Sequence, residues 1–417
     1  MTSIDNMQTN IENTTNITDT VNTGAVSNND TADDTVDETV KLGVSKFKNM
    51  MGVTCYMNSI LHILQQTPTF IEYISQAKFR DSIMKKINKK LLDDPELDEE
   101  QLLKEYVIFE LFRLFKTSLE NDDSSITPTS FKAVIGKKND MWNEFNHQDS
   151  QEFLNFLISQ LEEEAGIKSE FLPGFNYFDE ENQMAYSVPN ALKNAVATNA
   201  WTRFQAREYS PLKNMFDGMA QNNRKCMCCN TTSTAFEPFL TLAVSVPIKN
   251  KSDMYKSFDI YDCLDHFISE EQLDAENKMN CEMCGLKNRG HSKTLLWKTP
   301  KILVIHIKRF LVNAFGIPTQ KITNNVSYPI KDLDMSKYFD PVSPHVSSSK
   351  YDLIGINIHQ AFGYGGNINA GHYTSIVKNI MNNNWYLYND SNQVKMAYTK
   401  ENLQNANAYL LFYYRHD

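Results

Sequence analysis

Gly52-Val53-Thr54-Cys55-Tyr56-Met57-Asn58-Ser59 is the stretch from which the chain can be read. Met57, Ile60, Leu61 and Leu64 recur at i, i+3, i+4 and i+7, which predicts a helix with one apolar stripe opening at Cys55. Thr54 falls at the N-cap, where its hydroxyl is expected to accept a bond from a first-turn amide. Cys55 falls in that first turn. Unpaired amides there carry partial positive charge and favour a thiolate. Taken alone, Cys55 also reads as a buried structural cysteine.

Two distant stretches change that balance. Gly371-His372-Tyr373 lies far downstream, and Trp385-Tyr386-Leu387-Tyr388-Asn389-Asp390 follows it. The order is cysteine, histidine, then asparagine or aspartate. Thiol hydrolysis needs a nucleophile, a base to take its proton and a group to orient the base. Cys55 is the candidate nucleophile and His372 the base. Asn389 is the orienting amide, with Asp390 beside it as an assistant or replacement.

Other residues suggest a metal. Cys226 and Cys229 form one Cys-x-x-Cys, and Cys281 and Cys284 form another. Two such pairs suit a closed four-thiolate zinc site of structural type, reached across a long hairpin excursion. Four scattered free thiols are the alternative. Cys228 lies inside the first pair and is expected to point away; Cys263 is expected in the core.

Composition sets limits. The chain has 417 residues, of which 41% are apolar, enough for a sizeable core. No apolar run is long enough for a membrane-spanning helix, and no secretory leader is evident. Seven cysteines, an odd number, fit a reducing compartment, so cytoplasm or nucleus is expected. The net charge of −10 is concentrated in residues 1–40, which hold Asp5, Glu12, Asp19, Asp30, Asp33, Asp34, Asp37 and Glu38 and no Lys or Arg. The remainder is close to neutral, without the basic field that binds nucleic acid. The basic run Lys85-Lys86-Ile87-Asn88-Lys89-Lys90 reads as a solvated helix face rather than an import signal.

Residues 1–43 are rich in Asn, Thr and Asp, lack aromatics and are expected to be disordered. Residues 55–165 read as mostly helical. One helical pattern runs through Leu102, Leu103, Tyr106, Val107, Leu111, Leu114 and Phe115, broken only by Glu110. A second helix starts near Asp149, with Phe153, Phe156, Leu157 and Leu161 inside. Residues 166–215 are irregular, with some helix. Beyond Phe216 the pattern turns to strands: Leu240 to Val246, Ile302 to Ile307, Ile354 to Ile358, and 372–378, 384–389 and 407–414. Helices first and strands later predict an α+β fold with an antiparallel sheet.

The Cys55 stretch resembles the Cys box of the ubiquitin-specific proteases, and Gly371 to Asp390 resembles their His box. His147-Gln148-Asp149-Ser150-Gln151-Glu152-Phe153-Leu154 and Lys308-Arg309-Phe310 resemble two further landmarks. The match runs from about Gly43 to the C-terminus, in the family's order. It implies a papain-like layout: a helical thumb over about 44–165, an insertion over about 166–215, zinc-ribbon-like fingers over about 216–300 and a palm over about 301–417. It also implies ubiquitin and ubiquitinated proteins as partners, with cleavage after ubiquitin's C-terminal glycine. A ubiquitin-binding protein of low or no activity, and a protease for another ubiquitin-like modifier, are the alternatives.

The resemblance places Asp149 and Glu152 along the channel for ubiquitin's basic tail, where paired carboxylates suit guanidinium groups. It adds His359 on the strand before a Gly- and Asn-rich flap. Gly371 is expected to admit a substrate backbone, because it has no Cβ, and Tyr373 to fix the His372 backbone. One departure stands out. The family places an oxyanion-donating Asn five residues before the catalytic Cys, where this chain has Met50; Asn49 is one residue earlier. Either the loop shifts to bring Asn49 in, or Met50 stays in register and backbone amides such as that of Cys55 serve. The ungapped spacing from Gly52 to Cys55 favours the second.

Overall fold

The computed structural model describes residues 45–76, 79–121, 124–166, 184–207, 209–273, 277–312, 318–361, 371–396 and 399–416. The tail over 1–43 and the flap over 362–370 lie outside the described residues.

Helix α1 (Cys55–Gln65) is buried all round, not along one stripe; Asn58, Ser59, His62 and Gln65 are buried with its apolar residues. Polar groups enclosed in this way need partners. His62 is stacked between Phe47 and Tyr388, at centroid distances of 4.6 and 4.1 Å. Burial holds its imidazole neutral, down at about 3. Around α1 stand the other thumb helices, including α2 (Ser150–Ala165). The pattern through Leu102 to Phe115 is two helices, Glu99–Leu103 and Val107–Glu120. The break has a cause in α2: the Glu164 carboxylate accepts from the Ile108 amide at 2.9 Å and so starts the second helix. Glu110 is buried and pairs with Arg113 at 2.9 Å, with no break in the helix there. The basic run lies on the helix Arg80–Asp93, where Lys85, Lys86, Lys89 and Lys90 are exposed while Ile87 is buried. Of the irregular stretch, the described part holds the strand Met184–Tyr186 and the helices Asn190–Arg207 and Pro211–Phe216.

The palm is a sheet of β1 (Thr241–Ser245), β2 (Ile302–Lys308), β3 (Lys350–Ala361), β4 (Gly371–Lys378), β5 (Trp385–Asn389), β6 (Asn392–Met396) and β7 (Ala408–Arg415). Their order in space is β6-β5-β4-β3-β7-β2-β1, and Leu333–Asp334 adds to the start of β3. The sheet is antiparallel except that β2 pairs with β1 in parallel. The continuous apolar run in β2 is explained by two cores. Ile302 and Val304 face the thumb helices, while Leu303, Ile305 and Ile307 face a second core behind the sheet. Period-2 alternation buries both faces.

The fingers are a five-stranded sheet in the order Met184–Tyr186, Thr232–Phe239, Gly218–Cys226, Gly290–Lys298, Glu271–Leu273. Its core is small: Ala197, Met219, Phe236 and Trp297.

Thumb and palm are fastened by a buried polar chain. Ser150 Oγ, at the start of α2, donates to Asn357 Oδ1 on β3 at 2.9 Å. Asn357 Nδ2 donates to Ser59 Oγ on α1 at 2.8 Å. All three residues are buried.

Candidate active site

Cys55 opens α1 with Thr54 at the N-cap, but the threonine hydroxyl does not cap the helix. It accepts from the Met50 amide at 2.8 Å, while the Thr54 amide donates to Asn49 Oδ1 at 2.7 Å. The hydroxyl is spent on the preceding turn, so the expected bond is corrected.

That turn also sets where the Asn49 side chain lies. Met51 and Gly52 take left-handed φ of 54° and 76° in succession. This coils the extra residue into a tight turn and brings the Asn49 side chain back to Thr54. Asn49 Nδ2 then donates to Asp390 Oδ2 at 3.0 Å. Asn49, not Met50, therefore contributes its side chain to the cluster around Cys55. Met51 is thrown outward, 80% exposed, in a conformation unfavourable for a side chain.

His372, at the second position of β4, bonds to Cys55. Its Nε2 lies 2.6 Å from Asn389 Oδ1 at the end of β5. An amide oxygen only accepts, so Nε2 carries hydrogen and Nδ1 is left as the proton acceptor. Asp390 Oδ2 is also near Nε2, at 3.5 Å. The Cys55 bond raises His372 to about 9; burial opposes this, and the Asn389 bond and Asp390 charge add to it. Asp390 itself takes φ of 49° in the turn after β5.

A second group of residues flanks this triad. Asp149 is the N-cap of α2: Oδ1 accepts from the Gln151 and Glu152 amides at 2.6 and 3.2 Å. Oδ2 accepts from Tyr409 at 2.6 Å and from Tyr373 at 3.3 Å. The carboxylate is thus both helix cap and anchor for two tyrosines. Glu152 is partly exposed, and its carboxyl is raised, by burial first and by Asp149 second. His359, on β3, is buried with its ring 4.6 Å from that of Tyr373 and 5.5 Å from that of Phe310. Burial lowers it to about 3, with the nearby charges of Lys321 and His372 adding to the effect.

Gly371 is also constrained from within the fold. A Cβ there would collide with His359 Nε2 and lie 2.9 Å from the Gln360 carbonyl oxygen. The space is already taken by the neighbouring imidazole.

The four paired cysteines meet at the fingertip. Cys226 and Cys284 sulfurs are 3.9 Å apart, and Cys229 and Cys281 sulfurs 3.6 Å. A tetrahedron with Zn–S bonds of about 2.3 Å has edges of about 3.8 Å, so the donor set fits that ion. Asn230 and Gly285 each follow the second cysteine of a pair and take left-handed φ of 61° and 65°, closing two matching knuckles. Cys228 is exposed, with its amide directed at Cys226 Sγ, 3.4 Å away; Cys263 is buried.

Sequence reasoning passed over Asn58, Tyr409 and the Ser150–Asn357–Ser59 chain. Asn58 and Ser59 carried a signal: at i+3 and i+4 they share the helix face of Cys55.

No described helix is long and apolar enough to cross a membrane. The family model described as ubiquitin carboxyl-terminal hydrolase matches residues 46–413. The rat protein named ubiquitin carboxyl-terminal hydrolase 2 is 29% identical over 381 residues, 91% of this chain and 55% of that protein. Its chicken namesake is 32% identical over 303 residues, 73% of this chain and 77% of that protein. The chain thus spans about half the length of the rat relative. Among solved structures, the SAGA Ubp8/Sgf11/Sus1/Sgf73 DUB module bound to ubiquitin aldehyde superposes with a TM-score of 0.58. That likeness, at 22% identity, covers 90% of this chain and 70% of the other and shows a shared fold. A match that starts ahead of Cys55 and ends beyond Asp390 takes in Cys55, His372, Asn389 and both cysteine pairs, and the chain belongs to the ubiquitin carboxyl-terminal hydrolase family.

Proposed function

We propose that the protein is a cysteine-protease deubiquitinase that hydrolyses the bond after the C-terminal glycine of ubiquitin in ubiquitin–protein conjugates. The observation that carries this is His372, bonded to Cys55 on one side and held 2.6 Å from Asn389 Oδ1 on the other. His372 takes the Cys55 proton at Nδ1. The sulfur attacks the glycine carbonyl carbon, the C–N bond breaks, and His372 returns the proton to the leaving amine. Water, deprotonated by His372, then cleaves the thioester and releases ubiquitin's carboxylate.

Charge on the carbonyl oxygen is met by the Cys55 amide and by Asn49. An amide nitrogen has two hydrogens, and Asn49 gives one to Asp390. The other is directed to the oxyanion. Asp149, Glu152, His359, Gly371 and Tyr373 line the path of the ubiquitin tail.

The cysteine site holds one zinc, ligated by Cys226, Cys229, Cys281 and Cys284, with a folding role. Residues 44–417 form the catalytic domain, preceded by the acidic segment 1–43. The protein acts in the cytoplasm or nucleus.

The test is turnover of a ubiquitin–aminocoumarin conjugate by wild type and Cys55→Ala, beside labelling by a ubiquitin probe with an electrophilic C-terminus. Turnover that requires Cys55 supports the reading. Labelling without turnover supports a ubiquitin-binding role. Neither labelling nor turnover, with activity on another ubiquitin-like conjugate, moves the substrate to that modifier.

A further inference from the structure

Asp390 is held by two side-chain amides, one on each carboxylate oxygen. Its Oδ2 accepts from Asn49 at 3.0 Å, and its Oδ1 accepts from Asn58 Nδ2 at 3.0 Å. Asn58 spends its second amide hydrogen on the Phe47 carbonyl at 3.1 Å. Phe47 lies two residues before Asn49. One side chain, 1% exposed, thus ties together the turn that carries Asn49 and the turn that carries Asp390. It does so from the same helix, and the same helix face, as Cys55.

We propose that Asn58 is a positioning residue of the reaction: through Asp390 it sets where the Asn49 amide and the His372 ring stand relative to Cys55. Three features support this. Asp390 lies in the turn after β5 with left-handed φ, and both its carboxylate oxygens accept side-chain amide bonds there. The bonds that hold it come from two amides, and hydrogen bonds to a charged acceptor are the strong kind. Asn49 stands six residues before Cys55; the Thr54 amide holds its Oδ1 at 2.7 Å, and the direction of its Nδ2 is set from outside the turn, by Asp390 at 3.0 Å. Asn58 supplies the fixed point. Without it, Asp390 Oδ1 and the Phe47 carbonyl both lose a donor, and the Asn49 arm loses its far anchor. Asn58 does not touch the reacting atoms; it acts on those that do. The inference rests on the deubiquitinase reading above and adds a residue to its machinery.

The experiment is a double-mutant cycle on the full chain with Asn58→Ala, Asp390→Ala and the pair, with Asn58→Ser as a milder substitute should the alanine variant fail to fold. The first readout is ubiquitin–aminocoumarin turnover. Asn58→Ala is expected to lower kcat about tenfold to a hundredfold, the scale of one hydrogen bond to a charged group, with KM within about twofold. The double variant is expected to be no worse than Asp390→Ala. The second readout needs no ubiquitin: the rate of Cys55 alkylation by iodoacetamide against pH, followed on the Cys55 peptide. Asn58→Ala is expected to displace that profile in the same direction as Asp390→Ala, and the double variant no further. Losses that multiply, or an Asn58→Ala alkylation profile that coincides with wild type, overturn the proposal. If wild type is alkylated normally yet turns over no conjugate, the deubiquitinase reading fails on its own. The alkylation cycle then still decides whether Asn58 positions the dyad.

Discussion

The centre of the molecule and the fingertip are built on opposite principles. Around Cys55, a helix buried on every side is enclosed by thumb helices on one side and the palm sheet on the other. Some of its polar groups bond to side chains far away in sequence, as in Ser150–Asn357–Ser59 and Asn58–Asp390. The fingers have a core of four buried residues, and near their tip a cluster of Cys226, Met279 and Cys281. Burial that small cannot offset the entropy of ordering a hairpin. Where the core is thick, precision comes from packing and hydrogen bonds; where it is thin, four cysteine sulfurs gather within reach of one metal ion. Loss of a bond at the centre should therefore cost rate, and loss of a ligand at the tip should cost structure.

The largest effect expected is at the nucleophile. Cys55→Ala should take turnover below detection while ubiquitin binding, measured by calorimetry, persists. His372→Ala should cost nearly as much, since triad members act as a unit, and Asn389→Ala less, because Asp390 stands beside it. Ubiquitin–aminocoumarin hydrolysis unchanged in Cys55→Ala would break the comparison at its centre.

Next in size is Gly371→Ala. The added methyl collides with His359, so kcat/KM for the same conjugate should fall about tenfold or more, with overpacking strain of about 1–3 kcal/mol read from denaturant unfolding. A neutral outcome would mean the His359 ring moves freely.

The fingertip test comes third. Purified protein should hold about one zinc per chain by elemental analysis. Cys281→Ser should lose it and expose the tip to hydrogen exchange while α1 stays protected. Cys228→Ser should change neither metal content nor exchange. Equal losses at Cys228 and Cys226 would reassign the ligands, and a metal-free, fully protected tip would end the contrast.

The smallest effect is one of pH. His372 is raised from its ordinary 6.5 to about 9, chiefly by its bond to Cys55. Its charge therefore favours the folded state fully below about pH 6.5, and that contribution disappears as pH rises through about 9. The alkaline limb of kcat/KM should fall near the same pH. A limb near 6.5 would mean the Cys55–His372 bond is absent in solution.

Much of the centre was legible in the sequence because periodic burial is a local signal. α1 and α2 are marked by their apolar spacing, and the strand at 302–308 by an unbroken apolar run. The order of cysteine, histidine and asparagine survives any folding of the chain between them. What was not legible depends on tertiary partners. The Thr54 hydroxyl could cap forward or bond backward, and only the Met50 amide decides it. The start of the helix at Val107 is set by a carboxylate on α2. The place of Asn49 depends on Asp390, more than three hundred residues away in sequence. Spacing alone favoured Met50, because spacing carries no record of two left-handed residues in a row.

The contact between His359 and Gly371 has a consequence for how this gene can vary. The two residues sit on neighbouring strands, and the ring of one fills the volume that a side chain on the other would need. In a selection for activity, they should behave as a single inherited unit. A methyl at 371 becomes tolerable only after 359 has shrunk, so the order of mutational steps is constrained, and on the way back 371 must return to glycine before 359 regains its ring. Second-site suppressors of Gly371→Ala should accordingly gather at position 359, with His359→Ser or His359→Ala among the first recovered.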